Sequence, residues 1–322
     1  MHQQDIDSRM RTPGTTAIVA AVLALLCLLG RSAVAQEQCP SIDPEVHRLL
    51  EAMSSKASHG DYNGVVTLQR GSEMQVMELN HRIVDGQSTQ VLSSLTGQDG
   101  QVLRAGLDAN ATQPGHTLLS SAGAVSGGVC GLASSYRFRL GDGERIAGRD
   151  AVRLSIEPTD MYRYGYVFEL DRDTALMLKA TTVAADERVL EQFQFASLSM
   201  TRVDPEPAAL TYRTQTLESR AAAPVSRGPG WEPTWVPDGF MPTDAEALGA
   251  PRKSFTDGLA CFSVFVEPLG ADIKPGEGVE RLGSTVAYTR GVMLRQRPVL
   301  ITVLGEIPTN TARMVADSVR LR

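Results

Sequence analysis

Apolar and polar residues alternate most clearly between positions 152 and 195. Val152, Leu154 and Ile156 alternate with polar neighbours, as do Tyr164, Tyr166, Phe168 and Leu170, then Leu176 and Leu178, then Phe193 and Phe195. A period of two marks strands with one face turned to a core. Asp171-Arg172-Asp173 and Ala185-Asp186-Glu187 supply turn chemistry between the runs. Strands at a spacing of about twelve residues, with no helical period between them, predict an antiparallel meander. Four earlier runs, 62–69, 74–82, 90–95 and 101–107, are also strand-like. Long alternating strands of this kind suit a strongly curved sheet or partial barrel, whose concave face a helix or a ligand must fill.

The period changes to that of a helix at two places. Val46, Leu49, Leu50 and Met53 recur at i, i+3, i+4 and i+7 after Asp43-Pro44, an N-cap residue followed by a first-turn proline. Ser58-His59-Gly60-Asp61 ends that helix. Near the C-terminus a helix capped near Thr309 places Ala312, Val315, Ala316 and Val319 on one face. Residues 108–131 are rich in Gly, Ser and Ala and show little period, and a loop of that length in a compact domain is usually functional or mobile. Asp204-Pro205-Glu206-Pro207 and Arg227-Gly228-Pro229-Gly230 mark a linker. Beyond it come Trp231, Trp235 and strand candidates at 259–267, 284–290 and 299–306. The expected class is α+β. A large N-terminal unclosed antiparallel β-barrel with helices occupies 36–203, a linker 204–230, and a smaller C-terminal α+β domain 231–322.

Composition changes this picture at one end only. Of 322 residues 42% are hydrophobic and 21% charged, ordinary globular values, and the formal net charge of −6 argues against a broad grip on nucleic acid. Residues 17–29 are uncharged and apolar, preceded by Arg9 and Arg11 and followed by Ala33-Val34-Ala35. Thirteen helical residues rise about 20 Å, short of a hydrocarbon core of about 30 Å. Basic flank, short apolar core and A-x-A predict a signal peptide, residues 1–35, and a soluble exported protein. Met10 is an alternative start to Met1. Cys39, Cys130 and Cys261 would remain, too few for a disulfide scaffold, with their pairing open.

Chemistry for catalysis is sparse. His47, His59, His81 and His116 do not form a zinc-protease pair, there is no C-x-x-C, and Ser126 does not sit in a nucleophile elbow. These histidines read as surface or turn residues. Gly141-Asp142-Gly143 and Gly148 read as turn glycines rather than a phosphate loop, and Asp171 and Asp173 as a turn rather than a cation site. No enzyme, metal or cofactor is expected. The aromatic strand is more informative. Tyr62, Met161, Tyr164, Tyr166 and Phe168 are candidates for a lipid-accepting cavity or its rim, with Tyr164, Tyr166 and Phe168 on one face and Gly165 and Val167 on the other. Trp235, Phe240, Phe262 and Phe265 are candidates for a partner surface.

Several blocks, taken in order, carry a family resemblance. They are Asp61-Tyr62-Asn63-Gly64-Val65-Val66, Ile146-Ala147-Gly148-Arg149-Asp150-Ala151-Val152, and Tyr162-Arg163-Tyr164-Gly165-Tyr166 leading to Leu170-Asp171-Arg172-Asp173-Thr174. Glu191-Gln192-Phe193-Gln194-Phe195, Trp235-Val236-Pro237-Asp238-Gly239-Phe240, and the run from Asp257-Gly258-Leu259-Ala260-Cys261-Phe262 to Pro268 complete the set. The chain resembles the RseB/MucB family over nearly its whole mature length. The resemblance implies a periplasmic regulator that binds the periplasmic segment of a single-span anti-sigma factor and shields it from regulated proteolysis, so repressing an envelope-stress sigma factor. It also implies an N-terminal domain like that of lipoprotein carriers, sensing lipopolysaccharide or lipoprotein acyl chains, and a C-terminal domain supplying much of the partner contact. A periplasmic lipid or lipoprotein carrier is the alternative, and a homo-oligomer stays open. Residues 108–131 do not align with the family pattern.

Overall fold

The first helix of the computed structural model, α1 (Pro44–Ser54), begins where Asp43 Oδ1 accepts the Glu45 N–H at 2.8 Å. The structure describes residues 42–54, 60–84, 87–96, 102–105, 128–200, 230–243, 252–269 and 276–321. The predicted signal peptide, residues 204–229 of the linker, Cys39, His59 and His116 lie outside them. The stripe of α1, Val46, Leu49, Leu50 and Met53, is buried along its whole length.

Strands β1 (Tyr62–Arg70), β2 (Glu73–Val84), β3 (Gln87–Ser94) and β4 (Val102–Ala105) precede α2 (Gly128–Ser135). Then come β5 (Tyr136–Ile146), β6 (Arg149–Pro158), β7 (Gly165–Asp171), β8 (Met177–Val183) and β9 (Val189–Ser199). They form one antiparallel sheet in the order β4-β3-β2-β1-β9-β8-β7-β6-β5, so β1 lies beside β9 while β4 and β5 are the edges of an unclosed sheet. Register explains the alternation in sequence. Leu154, Phe168, Ala180, Phe193 and Leu68 oppose one another across five strands and are all buried beneath the helices in one core with α1 and Leu132 of α2. On the opposite face Arg153 holds the buried Glu169 at 2.7 Å and Glu144 at 3.0 Å, so that carboxylate is paired.

A second, six-stranded sheet has the order β11-β12-β13-β16-β15-β14. Its strands are β11 (Met241–Pro242), β12 (Arg252–Thr256), β13 (Cys261–Pro268), β14 (Glu277–Leu282), β15 (Thr285–Leu294) and β16 (Arg297–Gly305). Helix α3 (Thr309–Ser318) lays Ala312, Val315 and Ala316 over Phe262, Val264, Val286, Tyr288, Ile301 and Val303. β10 (Trp231–Pro233) pairs with β17 (Val319–Leu321).

Some readings of the sequence change. Gly141 and Gly143 are not turn residues: they lie within β5, whose register shifts between Asp142 and Arg145. A Cβ on Gly143 would stand 2.6 Å from the Ala151 backbone, so the bulge requires glycine there. The turn falls instead at Ala147 and Gly148, both at positive φ. Residues 128–131 begin α2 rather than ending a loop. His81 is buried, stacked on Tyr62 at 4.5 Å with Nδ1 3.0 Å from the Gly60 carbonyl, because it faces inward beside Tyr62 in the β1–β2 register. α3 starts at Thr309 as expected, with Pro308 in the N-cap position and no side-chain cap bond.

Candidate functional site at the seam between the sheets

The turn joining β12 to β13 carries the sequence Asp257-Gly258-Leu259-Ala260. Asp257 Oδ1 accepts the N–H groups of Leu259 at 2.9 Å and Ala260 at 2.7 Å, folding the turn on itself. Gly258 sits at φ +95°, and a Cβ there would come within 2.9 Å of Leu132 of α2. The turn therefore presses into the first lobe, and Leu259 is fully buried in the core of the nine-stranded sheet.

The other oxygen of Asp257 reaches across. Oδ2 accepts the Tyr136 hydroxyl at 2.8 Å and Arg163 Nε at 2.7 Å. Arg163 is buried with its remaining nitrogens on Asp160 Oδ2 and the Asp238 carbonyl, and its guanidinium lies 4.9 Å from the centre of the Phe240 ring. Burial and the adjoining Asp257 charge hold the Tyr136 hydroxyl well above the usual tyrosine range. Further along, Tyr164 donates to the Ile307 carbonyl at 3.1 Å, Thr311 donates to the Tyr162 carbonyl at 3.2 Å, and Tyr162 meets Trp235 edge to face at 5.3 Å. At the far end Glu191 accepts from Arg70 at 3.0 Å and from Ser284 at 2.8 Å.

Outside this seam a groove of about 370 Å³ runs between the lobes. Met161, 75% exposed, and Met314 flank it, with Arg188 and Arg281 on its walls. Adaptable thioethers beside two guanidinium groups suit an extended segment carrying both apolar and acidic side chains.

The residues singled out from sequence distribute as follows. Tyr166 and Phe168 point into the packed core, with ring centres 5.9 Å apart. Tyr62 packs edge to face on Phe195. Tyr164, one residue before β7, turns to the second lobe, and Met161 is on the groove. Phe240 and Phe262 meet at a tilt within the second core, ring centres 5.1 Å apart. Phe265 is half-buried on the opposite face of β13 from Phe262 and Val264, and Trp235 is half-buried at the seam. Sequence reasoning passed over Arg163, Asp257, Tyr136, Leu259 and Glu191. The signal for two of them was a charge inside an aromatic run and an Asp-Gly turn between strands. Cys261 is a free thiol that burial pushes up to about 12, which leaves it protonated and unreactive. The Cys130 side chain lies outside the described residues. Among the described residues no His, Cys, Asp and Glu cluster could hold a metal ion.

An unclosed antiparallel sheet, locked through a buried Asp–Arg pair to a smaller α+β lobe, defines a two-lobed binding scaffold. The chain belongs to the MucB/RseB family: the MucB/RseB N-terminal domain matches residues 45–221 and the MucB/RseB C-terminal domain residues 225–320. It is 31% identical to the sigma factor AlgU regulatory protein MucB of Pseudomonas aeruginosa, over 92% of this chain and 96% of that protein. It is 25% identical to the sigma-E factor regulatory protein RseB of Salmonella typhimurium, over 88% and 92%. Among solved structures, MucB in complex with MucA(peri) superposes with a TM-score of 0.66 at 30% identity, covering 86% of this chain and 98% of that one. The Pseudomonas aeruginosa MucA/MucB complex gives 0.67 at 29%, covering 86% and 99%.

Proposed function

We propose that this chain is a periplasmic regulator that binds the periplasmic segment of a single-span anti-sigma factor and protects it from regulated proteolysis, so repressing an envelope-stress sigma factor. The observation that carries this reading is the match, through both lobes, to a MucB crystallised with MucA(peri). The groove bordered by Met161, Met314, Arg188 and Arg281 is the surface we assign to the partner, with Trp235 at its neighbouring seam. Phe240 and Phe262 support that surface from beneath, and Phe265 offers a second contact on the open face of the smaller sheet.

The reading extends to release by a lipid-type ligand, lipopolysaccharide or a lipoprotein acyl chain. Its support is the apolar concave face around Tyr62, Tyr166 and Phe168, covered by α1 and α2, which hold it by side-chain packing rather than by strand pairing. An acyl chain entering there takes the place of the α1 stripe. It releases the partner only by preferring an arrangement of the lobes that the partner does not.

Calorimetric titration of residues 36–322 with the periplasmic segment of a single-span anti-sigma factor from the same organism tests both steps. Tight binding that lipopolysaccharide weakens is the expected result. Tight binding indifferent to lipopolysaccharide removes the release step. Lipid binding without partner binding reassigns the chain as a lipid carrier.

A further inference from the structure

Methionine is among the residue types most often buried, yet the groove between the lobes displays two. Met161 is 75% exposed, the most exposed large apolar side chain among the described residues, and Met314 is 38% exposed. The backbone enforces this display. Asp160 Oδ1 accepts the Tyr162 N–H at 2.9 Å and bends the chain around Met161. The next two side chains are anchored, Tyr162 edge to face on Trp235 and Arg163 on the buried Asp257, which leaves Met161 outward. Met314 lies off the stripe that α3 buries, Ala312, Val315 and Ala316. Both thioethers line the groove with Arg188, 3.5 Å from Asp186, and Arg281, which donates to the Thr309 hydroxyl at 2.8 Å. A guanidinium carries more donors than these bonds use. Met74, Met241 and Met293 are also exposed, but none of them lines this groove.

We propose, on the reading of this groove as the partner surface, that Met161 and Met314 form a reversible oxidation site. A two-electron oxidant of the hypochlorous acid class converts their thioethers to sulfoxides and so weakens the groove's hold on the anti-sigma segment. In that step sulfur bonds to oxygen and the oxygen–chlorine bond breaks. Sulfur loses two electrons, chlorine gains them, and chloride and a proton leave. Reduction runs through a dithiol, which gives up two electrons and two protons, becomes a disulfide and removes the oxygen as water. A thioether is apolar and pliant, whereas a sulfoxide is polar and carries an oxygen that accepts hydrogen bonds. In this groove the sulfoxide forfeits the apolar contact. It also offers Arg188 and Arg281 an acceptor in competition with acidic side chains of the partner.

Residues 36–322 treated with graded hypochlorite, mapped by peptide mass spectrometry and titrated calorimetrically with the anti-sigma segment, provide the test. Sulfoxide is expected at Met161 and Met314 while the buried Met53 and Met177 stay reduced. Affinity should fall on the order of tenfold as those two positions fill, the equivalent of most of one thioether's apolar contact. Methionine sulfoxide reductase with a dithiol should restore it, which oxidised tryptophan would not allow. The quantity read is the ratio of treated to untreated affinity within each protein. That ratio should be unchanged by hypochlorite in Met161→Leu/Met314→Leu, whatever its starting affinity, and should fall as in wild type in Met74→Leu/Met241→Leu/Met293→Leu. Equal affinity once both sulfoxides have formed, or a loss that persists in Met161→Leu/Met314→Leu, overturns the oxidation site and leaves the partner surface standing. Untreated protein that does not bind the segment overturns the partner surface, and the oxidation site falls with it.

Discussion

Asp257 accepts four hydrogen bonds, two that fold its own turn and two that arrive from the other lobe. Removing it takes from Arg163, which has no solvent exposure of its side chain, its fully buried anionic partner and leaves only the part-exposed Asp160. Asp257→Ala is therefore expected to destabilise the protein by about 3–5 kcal/mol in chemical denaturation. Arg163→Met, of similar length and without charge, should cost less if Asp257→Asn accompanies it, since the pair then leaves together. His81 gives a pH-dependent test. Burial holds its imidazole below the ordinary 6.5 despite the Gly60 carbonyl and nearby Asp61. A base depressed in the folded state contributes fully above 6.5, and that contribution is lost as pH falls through the unfolded value toward the folded one. Denaturation of wild type and His81→Gln should therefore diverge less at pH 5.5 than at pH 7.5. His81 also shows why single residues were hard to read: a histidine among Asn80, Arg82 and Glu78 reads as surface, and only pairing with Tyr62 turns it inward.

Elements were more legible than residues. The meander from β6 to β9 follows the alternation of Leu154, Phe168, Ala180 and Phe193 because cross-strand partners share one face. Strand β5 escaped because its glycines, Gly141 and Gly143, mark a bulge and not a turn. Strand β14 escaped because all six of its residues are exposed, which removes the alternation that burial imposes. The Asp257–Ala260 turn was passed over, its last two residues taken into a strand that begins only at Cys261, and nothing local says which core Leu259 enters. Its role predicts two outcomes. Gly258→Ala, strained by positive φ and by Leu132, should cost about 1–3 kcal/mol. Leu259→Ala should cost about 2–5 kcal/mol, and the loss should appear in the first lobe's unfolding although the residue belongs to the second.

At the scale of the whole molecule, three of the sequence blocks that carried the resemblance meet at one place. Tyr162-Arg163-Tyr164, Trp235 to Phe240, and the run beginning at Asp257 come from separate parts of the chain and close the same seam. Their spacing in sequence gave no sign of this, because the contacts depend on how two sheets dock. The groove beside them makes the charge test direct. Reversing Arg188 and Arg281 together to Glu should weaken the proposed partner at least tenfold, mainly through association rate. The loss should shrink as salt is raised, because both guanidinium groups are on the surface. Surface plasmon resonance at two salt concentrations measures both effects.

The pairing of β1 with β9 sets an order in time. A chain that emerges from its N-terminus exposes residues 62–70 long before 189–199 exist to meet them, so the middle of the large sheet is the last part of it to form. Its β1 edge stays open through the intervening stretch, and loop closure over more than a hundred residues makes this step slow. Leu259 arrives later still, and with it the final piece of a core begun some two hundred residues earlier. The unfinished half-shell, with an unpaired strand and an unplugged interior, is the form most exposed to aggregation and to proteases.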